Sequence, residues 1–338
     1  MRILCFDVGS SSLKYGLYEP DAVDVTVLRK GSRDAVLGAR AVTAVASIRS
    51  ELDGQQIDAI GHRVVFAGRG APPAVLATAE MLRELRDYEP RFPLHLPSQR
   101  SLIDATLTAF LGVPTAICPD TAFHRDLPAV ARRYPLPDLP DGAIERIGFH
   151  GLSFDYIFNR EPALWNGRTI VAHLGAGASL CGVRDGRALE TTMGCSVLGG
   201  VIMATRPGDL DPGAILELLR RGHSVDEVRA ICYGESGWKA ISGGTTDMRT
   251  LLEREASDSR ARDAVESFIY SCVKEAGATI AALGGLDTLV FTGGIGEAAP
   301  TIRNRIADGL AFAGPIRVRV VNTDENAAIA RRTWALLD

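Results

Sequence analysis

The stretch "FDVGSSSLKYG", residues 6–16, joins an apolar run to an alternating one through a glycine and three serines. The run "RILCFDV" predicts a buried strand and "SLKYGLYE" a second strand, so the small polar residues form a tight turn between them. Such a turn presents backbone N–H groups and hydroxyls toward one point, and Lys14 adds a mobile positive charge. The stretch therefore predicts a site for the terminal phosphate of a nucleotide, with a plain hairpin carrying a surface lysine as the alternative.

A third strand, "VDVTVLRK", completes an antiparallel meander, after which helices and strands alternate. Helices are predicted over 36–52, over "AVLATAEMLRELRDY" and over 98–111, with a strand at "DAIGHRVVFAG", a proline-punctuated loop at "FPLHLPSQ" and a short buried strand at "PTAICPD". The plan then restarts near half the chain length, where "TIVAHLGAGASLCGVRDGRALETT" repeats the order of strands and turns. This restart predicts an α/β fold made by duplication of one domain.

The second half continues mainly with helices. Asp211 and Pro212 suit the N-cap and first position of a helix, and residues 259–283 carry an apolar stripe at helical spacing. "FTGGIGEAA" (291–299) is predicted to be a glycine turn before a helix over 298–312, and "IRVRVVN" and residues 324–338 are the last strand and helix. The turn matches a dinucleotide fingerprint, but too little chain follows it, so phosphate or adenosine binding against backbone is favoured.

Composition limits the class of protein and its partners. The 338 residues suggest two domains, and 46% hydrophobic with 23% charged residues is typical of a globular, soluble protein. A net charge of −4 gives no general attraction for nucleic acid or an anionic membrane, and neither a membrane-spanning run nor a leader is expected. Six cysteines without a CxxC pair predict reduced core thiols in a cytoplasmic protein.

Two arginines and a histidine are candidates for phosphoryl chemistry. Arg63 in "GHRVV" and Arg206 in "MATRPGDLDPG" can each clamp an oxyanion through a planar guanidinium. Asp209 and Asp211 offer Arg206 a salt bridge as the alternative. The glycines beside His150 in "GFHG" permit close approach to a ligand, whereas a histidine beside an apolar run is usually a core residue.

Three carboxylates, Asp7, Asp120 and Glu297, come at the ends of predicted strands, where ligands of open sheets collect. Magnesium is the expected ion because it prefers oxygen ligands and bridges nucleotide phosphates. A Walker loop is excluded, since no lysine here follows a glycine and precedes serine or threonine.

Ten segments in this order resemble the acetate kinase family, the short-chain carboxylate kinases of the acetate and sugar kinase, Hsp70 and actin superfamily. They span residues 6–297 and are "DVGSSSLKYGL", "GHRVVFAG", "FPLHLP", "PDTAFH", "GFHG", "HLGAGASL", "TTMG", "ATRPGDLDPG", "SGGTTDMR" and "VFTGGIGE". The resemblance implies reversible, ATP-dependent phosphorylation of a carboxylate such as acetate or propionate to an acyl phosphate, with magnesium, by direct in-line transfer in a homodimer.

The same resemblance implies a fold and its domain bounds. Two duplicated ribonuclease-H-like (actin-like ATPase) domains with a central cleft are expected, the first over 1–147 and the nucleotide-binding second over 148–322. The C-terminal helix of about 323–338 is expected to pack back on the first domain.

Matched position by position, the motifs imply individual roles. Arg63 and Arg206 match the arginines that hold the carboxylate and the transferring phosphoryl group. His150 matches the histidine that stabilises the transition state, and Asp120 an aspartate that assists catalysis. The magnesium site is matched by Asp7 and Glu297, and the pocket for the acid by Arg63, Val65, Leu94, Phe149 and Val197. The nucleotide and its phosphates are matched by Ser10, Ser12, Lys14, His173, Gly175, Gly177, Asp247, Arg249, Gly293, Gly294 and Gly296.

Several positions depart from the family pattern. Asp7 stands where the family usually has asparagine, and sugar kinases and actin-like proteins use an aspartate near magnesium. Ala176 and Ala298 replace asparagines, Phe66 replaces a histidine, and Val197 replaces a proline of the acyl pocket. One methylene changes discrimination by only ~1–3 kcal/mol, so the sequence does not separate acetate from propionate.

Two alternatives stay open beside the carboxylate kinase. A superfamily kinase acting on a hydroxyl or sugar is favoured by Asp7 and needs a base near the acceptor, for which Asp120 is available. A non-catalytic nucleotide-binding module is favoured by the missing asparagines and predicts ATP binding without turnover. A carboxylate acceptor is already nucleophilic at neutral pH, so in a carboxylate kinase Asp120 serves as an organiser.

Overall fold

A computed structural model of the chain describes residues 1–9, 12–34, 38–137, 139–140 and 142–338. Its contacts divide the chain into two compact units. The first unit comprises Met1–Arg125, Phe149–Tyr156 and Asp324–Asp338, and the second unit comprises Asp126–Gly148 and Ile157–Thr323. These sets are defined by contacts, so the domain bounds of 1–147 and 148–322 stay a prediction.

The first unit is built on a six-stranded mixed sheet in the order β3-β2-β1-β4-β6-β5. Its strands are β1 (Ile3–Val8), β2 (Ser12–Pro20), β3 (Val25–Asp34), β4 (Ala59–Val64), β5 (Val75–Leu76) and β6 (Thr115–Pro119). Strands β1, β2 and β3 pair antiparallel, which confirms the predicted meander, while β4 pairs parallel with both β1 and β6.

The second unit repeats this plan with five strands in the order β11-β10-β7-β8-β9. They are β7 (Arg168–Leu174), β8 (Ala178–Arg184), β9 (Arg187–Thr191), β10 (Thr288–Thr292) and β11 (Arg317–Val320). Again three strands form an antiparallel meander, and the next two join it in parallel. The shared order confirms the predicted duplication.

Thirteen helices are found among the described residues. They are α1 (Ala39–Glu51), α2 (Ala79–Tyr88), α3 (Leu96–Ala109), α4 (Ala129–Arg132), α5 (Gly151–Arg160), α6 (Pro212–Arg220), α7 (Val225–Ala230), α8 (Gly237–Ser242), α9 (Met248–Arg254), α10 (Ser259–Leu283), α11 (Gly293–Ala298), α12 (Pro300–Gly309) and α13 (Glu325–Leu337). Helix α10 has the predicted bounds. Helix α6 is capped as predicted, since the Asp211 side chain accepts a hydrogen bond from the amide of Gly213 at 2.6 Å.

Two predicted loops are helical, and these predictions were wrong. Within "FPLHLPSQ", α3 begins at Leu96 and accepts Pro97 in its first turn, where the missing N–H has no intrahelical partner to lose. The glycine turn "FTGGIGEAA" contains the short helix α11, so the helix predicted over 298–312 is confined to α12. Helix α2 likewise begins only at Ala79, because Thr78 caps it.

The first sheet is covered on both faces, which is why all of β1 is buried. Leu4 and Phe6 belong to an apolar cluster that includes residues of α1 and α3, whereas Ile3 and Cys5 belong to one that includes residues of α13. Since side chains alternate along a strand, Asp7 lies on the same face as Ile3 and Cys5. The strand pattern therefore directs one carboxylate toward the face that α13 covers.

Five of the six cysteines are buried, Cys195 is partly exposed, and all six are free thiols. Within the described residues, every helix is either too short or too polar to cross a membrane.

Candidate active site

The side chain at the centre of the first unit's polar cluster is Arg63, on β4. Its Nη1 donates to Asp7 at 2.9 Å and to Glu325 at 3.4 Å, and its Nη2 donates to Asp120 at 2.9 Å. Burial alone would lower the pKa of Arg63, but the three carboxyl groups raise it well above its ordinary value. The structure thus brings together three predicted site residues, Asp7, Arg63 and Asp120, and adds a fourth group that was not predicted.

That fourth group is Glu325, the first residue of α13. Burial raises the pKa of Glu325 to about 8, and the charges of Asp7 and Asp120 act in the same direction. Burial would also raise the pKa of Asp7, but Arg63 and a hydrogen bond with Glu325 lower it overall. Glu325 therefore holds a proton that it donates to the Asp7 carboxylate at neutral pH.

Asp120 is held by the backbone that begins α5. Its Oδ1 accepts the amide of Leu152 at 3.0 Å and its Oδ2 accepts the amide of His150 at 3.2 Å, in addition to Arg63. A Cβ on Gly151 would collide with the carbonyl oxygen of Asp120, so only glycine allows this approach. Both oxygens of Asp120 accept hydrogen bonds, and these bonds join Arg63 to the start of α5.

His150 occupies an unusual backbone position. Its φ of 57° lies in the left-handed region, which non-glycine residues rarely adopt. The bond from its amide to Asp120 fixes this conformation. Backbone strain of this kind clusters at functional sites, and the catalytic role of His150 stays a prediction.

Two other histidines are core residues. His62 lies 2.8 Å from the Thr106 hydroxyl, and burial lowers its pKa to about 3. His124 lies 3.0 Å from the carbonyl oxygen of Phe149, and burial lowers its pKa to about 4. Both rings are neutral at physiological pH and serve the packing around the site.

The residues predicted to contact the acid differ in how far they are exposed to solvent. Val65 and Phe149 are buried in the first unit, whereas Leu94 is 43% exposed. Phe66, at the position of a family histidine, is buried against Phe92 with ring centroids 5.2 Å apart. An apolar wall therefore exists in the first unit, and Leu94 lies outside it in this structure.

Arg206 is the predicted site residue with the most unusual surroundings in the second unit. Its Nη1 donates to the carbonyl oxygen of Val197 at 2.9 Å, and no carboxylate among the described residues pairs with it. The two aspartates that could have neutralised it are used elsewhere, because Asp209 pairs with Lys274 and Asp211 caps α6. Burial lowers the pKa of Arg206 to about 10. Arg206 is therefore a partly buried cation with no carboxylate partner in the described part of the chain.

Glycine-rich segments of the second unit surround a cavity of about 370 Å³. Asp247, at the N-cap of α9, accepts hydrogen bonds from the amides of Arg249 and Thr250. Its pKa is lowered by the Thr250 hydroxyl and by these amides. The cavity is lined by Gly175, Ala176, Trp238, Thr246, Asp247, Met248, Arg249, Leu252, Gly294, Ile295, Ala298, Ala299, Pro300 and Thr301.

Other residues predicted for the nucleotide site belong to the same second unit. His173, on β7, is buried, and a Cβ on Gly293 would approach its ring to 3.1 Å. The amide of Gly175 donates to the carbonyl of Gly177 at 3.0 Å, which closes the turn after β7. Gly296 is buried in α11.

The first phosphate turn is only partly described. Ser10 lies outside the described residues. Ser12 accepts the amide of Gly9 at 2.9 Å through its carbonyl, and the exposed Lys14 is the cross-strand partner of Asp7. The exposed Lys14 therefore lies directly opposite the buried Asp7 in the hairpin.

The two predicted metal ligands belong to different units. Asp7 lies in the first unit beside Glu325. Glu297 lies in the second unit, where its Oε1 accepts the amides of Gly293 and Thr323, each at 3.0 Å. Glu297 thus connects helix α11 to the segment after β11. Its role in metal binding stays a prediction.

Comparison with known proteins gives the family. A sequence profile of the acetokinase family matches residues 39–332. The acetate kinase of Rhodopseudomonas palustris is 40% identical over 312 residues, covering 84% of this chain and 78% of the relative.

Solved structures agree over the whole chain. The acetate kinase of Porphyromonas gingivalis superposes with a TM-score of 0.87 at 28% identity, covering 100% of both chains. A propionate kinase from Francisella tularensis gives a TM-score of 0.88 at 29% identity, covering 99% of both chains. A ROK family glucokinase from Streptomyces griseus, at 10% identity and a TM-score of 0.52 over 99% of both chains, shares the fold alone.

These likenesses define a kinase of the actin-like ATPase fold. The chain belongs to the acetokinase family. It is accordingly an ATP-dependent phosphotransferase with a carboxyl group as acceptor, and the predicted fold and reaction class are confirmed.

Proposed function

We propose that the protein transfers the terminal phosphoryl group of ATP to a carboxylate oxygen of a short-chain acid such as acetate or propionate, giving ADP and an acyl phosphate, and that it catalyses the reverse reaction. The observation that carries the proposal is Arg206, a partly buried guanidinium whose partner is a neutral carbonyl. A cation held in this way is stabilised by an incoming anion. The equatorial oxygens of a transferring phosphoryl group supply that anion.

In this mechanism the acid attacks without a general base, because a carboxylate is already deprotonated. Asp120 orients Arg63 and the start of α5, and thereby His150, which donates to the transferring group. The contacts of Asp120 with Arg63 and with two backbone amides support this orienting role. Arg63 holds the acid beside the apolar wall of Val65 and Phe149.

A divalent cation, magnesium by its preference for oxygen ligands, fits the pair of Asp7 and Glu325. Two adjacent buried carboxyl groups with one proton to release are suited to a cation that displaces that proton. When bound, the metal supplies charge neutralisation for the phosphates. No group of three or more histidine, cysteine or acidic side chains among the described residues is arranged to hold a metal, so phosphate and water would complete its coordination.

ATP is proposed to occupy the glycine-lined cavity of the second unit. Met248, Leu252 and Ile295 offer apolar surface to a purine, and Asp247 and Arg249 offer polar groups to the ribose and phosphates. Ser10, Ser12 and Lys14 are proposed to bind phosphate. We further propose a cytoplasmic homodimer, as the resemblance implies.

An acyl-hydroxamate assay tests the reaction and the acid together. The protein is incubated with ATP, magnesium, hydroxylamine and acids of increasing chain length, and trapped acyl phosphate is measured. Hydroxamate is expected with short acids, falling as the alkyl chain outgrows the pocket. ATP binding without hydroxamate from any acid would support the non-catalytic module, and phosphorylation of a sugar instead would support the hydroxyl kinase.

A further inference from the structure

Residues 194–197, here called the Val197 loop, follow strand β9 and belong to neither a helix nor a strand. Val197 is the last residue of this loop, and its carbonyl oxygen accepts the hydrogen bond from Arg206 Nη1 at 2.9 Å. Since no regular element fixes the loop, the place of this carbonyl depends on the side chains that hold the loop.

Tyr134 holds the Val197 loop through its hydroxyl group. The Oη of Tyr134 accepts a hydrogen bond from the amide of Cys195 at 3.1 Å, two residues before Val197. Two residues of chain span at most ~7 Å, so a displacement of the Cys195 amide is carried to the Val197 carbonyl. The position of the Tyr134 hydroxyl therefore affects the position of Arg206.

The hydroxyl also fits closely against Gly194, the first residue of the Val197 loop. Gly194 is buried and its φ is not positive, so its backbone conformation is open to alanine. A Cβ at Gly194 would nevertheless collide with the Tyr134 hydroxyl oxygen, whereas it would lie at an ordinary contact distance of 3.5 Å from the Cζ of the same ring. The hydroxyl group, and not the ring, excludes a side chain here.

Arg146 keeps the ring of Tyr134 in place. Its guanidinium lies 5.8 Å from the ring centroid, which is the distance of a cation–π contact. The same guanidinium donates from Nη1 to the carbonyl oxygens of Thr191 at 2.7 Å and Thr192 at 3.2 Å, where β9 ends. Tyr134 and Arg146 thus hold consecutive parts of the chain that leads to Val197.

Resting on the proposed function, we propose that Tyr134 is a positioning residue for Arg206 in phosphoryl transfer. Its hydroxyl fixes the Val197 loop, and the Val197 carbonyl in turn fixes the guanidinium. A donor stabilises the transition state most when it is held in place before the reaction, because it then need not reorganise as charge develops. Without the hydroxyl, Arg206 keeps its charge but loses its fixed orientation, and kcat falls.

A double-mutant cycle measured with the hydroxamate assay tests this role. Tyr134→Phe is made in the wild-type protein and in Arg206→Ala, whose residual rate is measured at high enzyme concentration. In the wild-type protein kcat is expected to fall ~10-fold, the effect of one lost hydrogen bond, while KM for ATP changes by less than ~2-fold. In Arg206→Ala the same substitution should change kcat by less than ~2-fold, because the residue through which Tyr134 acts is gone.

Gly194→Ala breaks the same contact from the other side. It displaces the Tyr134 hydroxyl and should lower kcat at least ~10-fold. Adding Tyr134→Phe should cause no further loss, because the phenyl ring leaves room for the methyl group. Tyr270→Phe is the matched control, since Tyr270 is 71% exposed, and its kcat should equal that of the wild-type protein.

Equal losses of kcat from Tyr134→Phe in both backgrounds would overturn the inference, because Tyr134 would then support the fold in general and not Arg206. So would a wild-type kcat in Tyr134→Phe, or losses from Gly194→Ala and Tyr134→Phe that multiply in the double variant. If the wild-type protein formed no hydroxamate from any acid, the proposed function would fail, and the inference with it. An active wild-type protein therefore separates the two failures.

Discussion

Arg206 and Val197 are joined by one hydrogen bond, from a partly buried guanidinium to a backbone carbonyl, at 2.9 Å. Because the carbonyl is neutral, the positive charge of Arg206 is not compensated. Replacing Arg206 by alanine removes this charge. We expect kcat to fall by ~10³-fold, in the range of a lost preorganised donor, because the transferring group loses a cation. The melting temperature should stay equal or rise, because removing the partly buried guanidinium also removes the cost of its partial desolvation.

The hydroxamate assay and thermal unfolding check both parts. Arg221→Ala is the matched control, because Arg221 is an exposed arginine paired with Glu217. A large loss of stability in Arg206→Ala, without a specific loss of turnover, would show that Arg206 is structural.

Arg63→Ala is predicted to behave differently, because it leaves Asp7, Asp120 and Glu325 buried without their shared cation. Removing one partner of a buried ion pair costs about 3–5 kcal/mol. We therefore expect lost activity together with a clearly lower melting temperature. Adding Asp7→Asn to Arg63→Ala should restore part of the stability. A wild-type melting temperature for Arg63→Ala would contradict the ion-pair geometry.

Glu325→Gln and Glu297→Gln distinguish two candidate metal ligands. Glutamine at 297 keeps an oxygen for the amides of Gly293 and Thr323, so its effect on magnesium dependence should be small. Glutamine at 325 has no carboxyl proton to exchange for a cation beside Asp7, so it should raise the magnesium concentration needed for half-maximal rate by at least ~10-fold. The rates of both variants are measured across a series of magnesium concentrations. If only Glu297→Gln raised the magnesium concentration needed for half-maximal rate, the metal ligand would be Glu297, as predicted from sequence.

The buried His124 is expected to reduce the stability of the folded protein in acid. Its pKa is about 4 in the folded protein against an ordinary value of 6.5, so below pH 6.5 the unfolded chain takes up a proton that the folded chain refuses. The contribution is present at pH 7 and lost as the pH falls, by about 2 kcal/mol between pH 7 and pH 5.

His124→Gln keeps a donor for the carbonyl of Phe149 and does not titrate. Urea unfolding at the two pH values should show a smaller loss in this variant than in the wild-type protein. Equal losses in both would mean that His124 is not buried as a neutral ring.

Much of the fold follows from local pattern. The two meanders were predictable because alternation at period two marks each strand, and glycine with polar residues marks each turn. The segments around Pro97 and Gly293 were not, because proline and glycine punctuate loops but are also accepted in the first turn of a helix. Only the packing of these segments selects the helix.

The site was predictable where a motif surrounds the residue and unpredictable where it does not. Arg63, Asp120 and His150 stand in short distinctive segments, and the structure brings them together. Glu325 follows Asp324, which caps α13, so in sequence it resembles an ordinary acidic first turn. Its proximity to Asp7 depends on the return of the last helix to the first sheet, and nothing local encodes that return.

The first hairpins of the two sheets differ at one equivalent pair of facing residues. In the first hairpin Asp7 faces Lys14, and at the matching rung of the second, one residue before the end of β7, His173 faces Ser179. A carboxylate–lysine pair in one copy thus corresponds to a histidine–serine pair in the other. Two exchanges on a single pair of positions are enough to give two copies of one hairpin different chemistry. Ancestral reconstruction of this rung would reveal which pair came first.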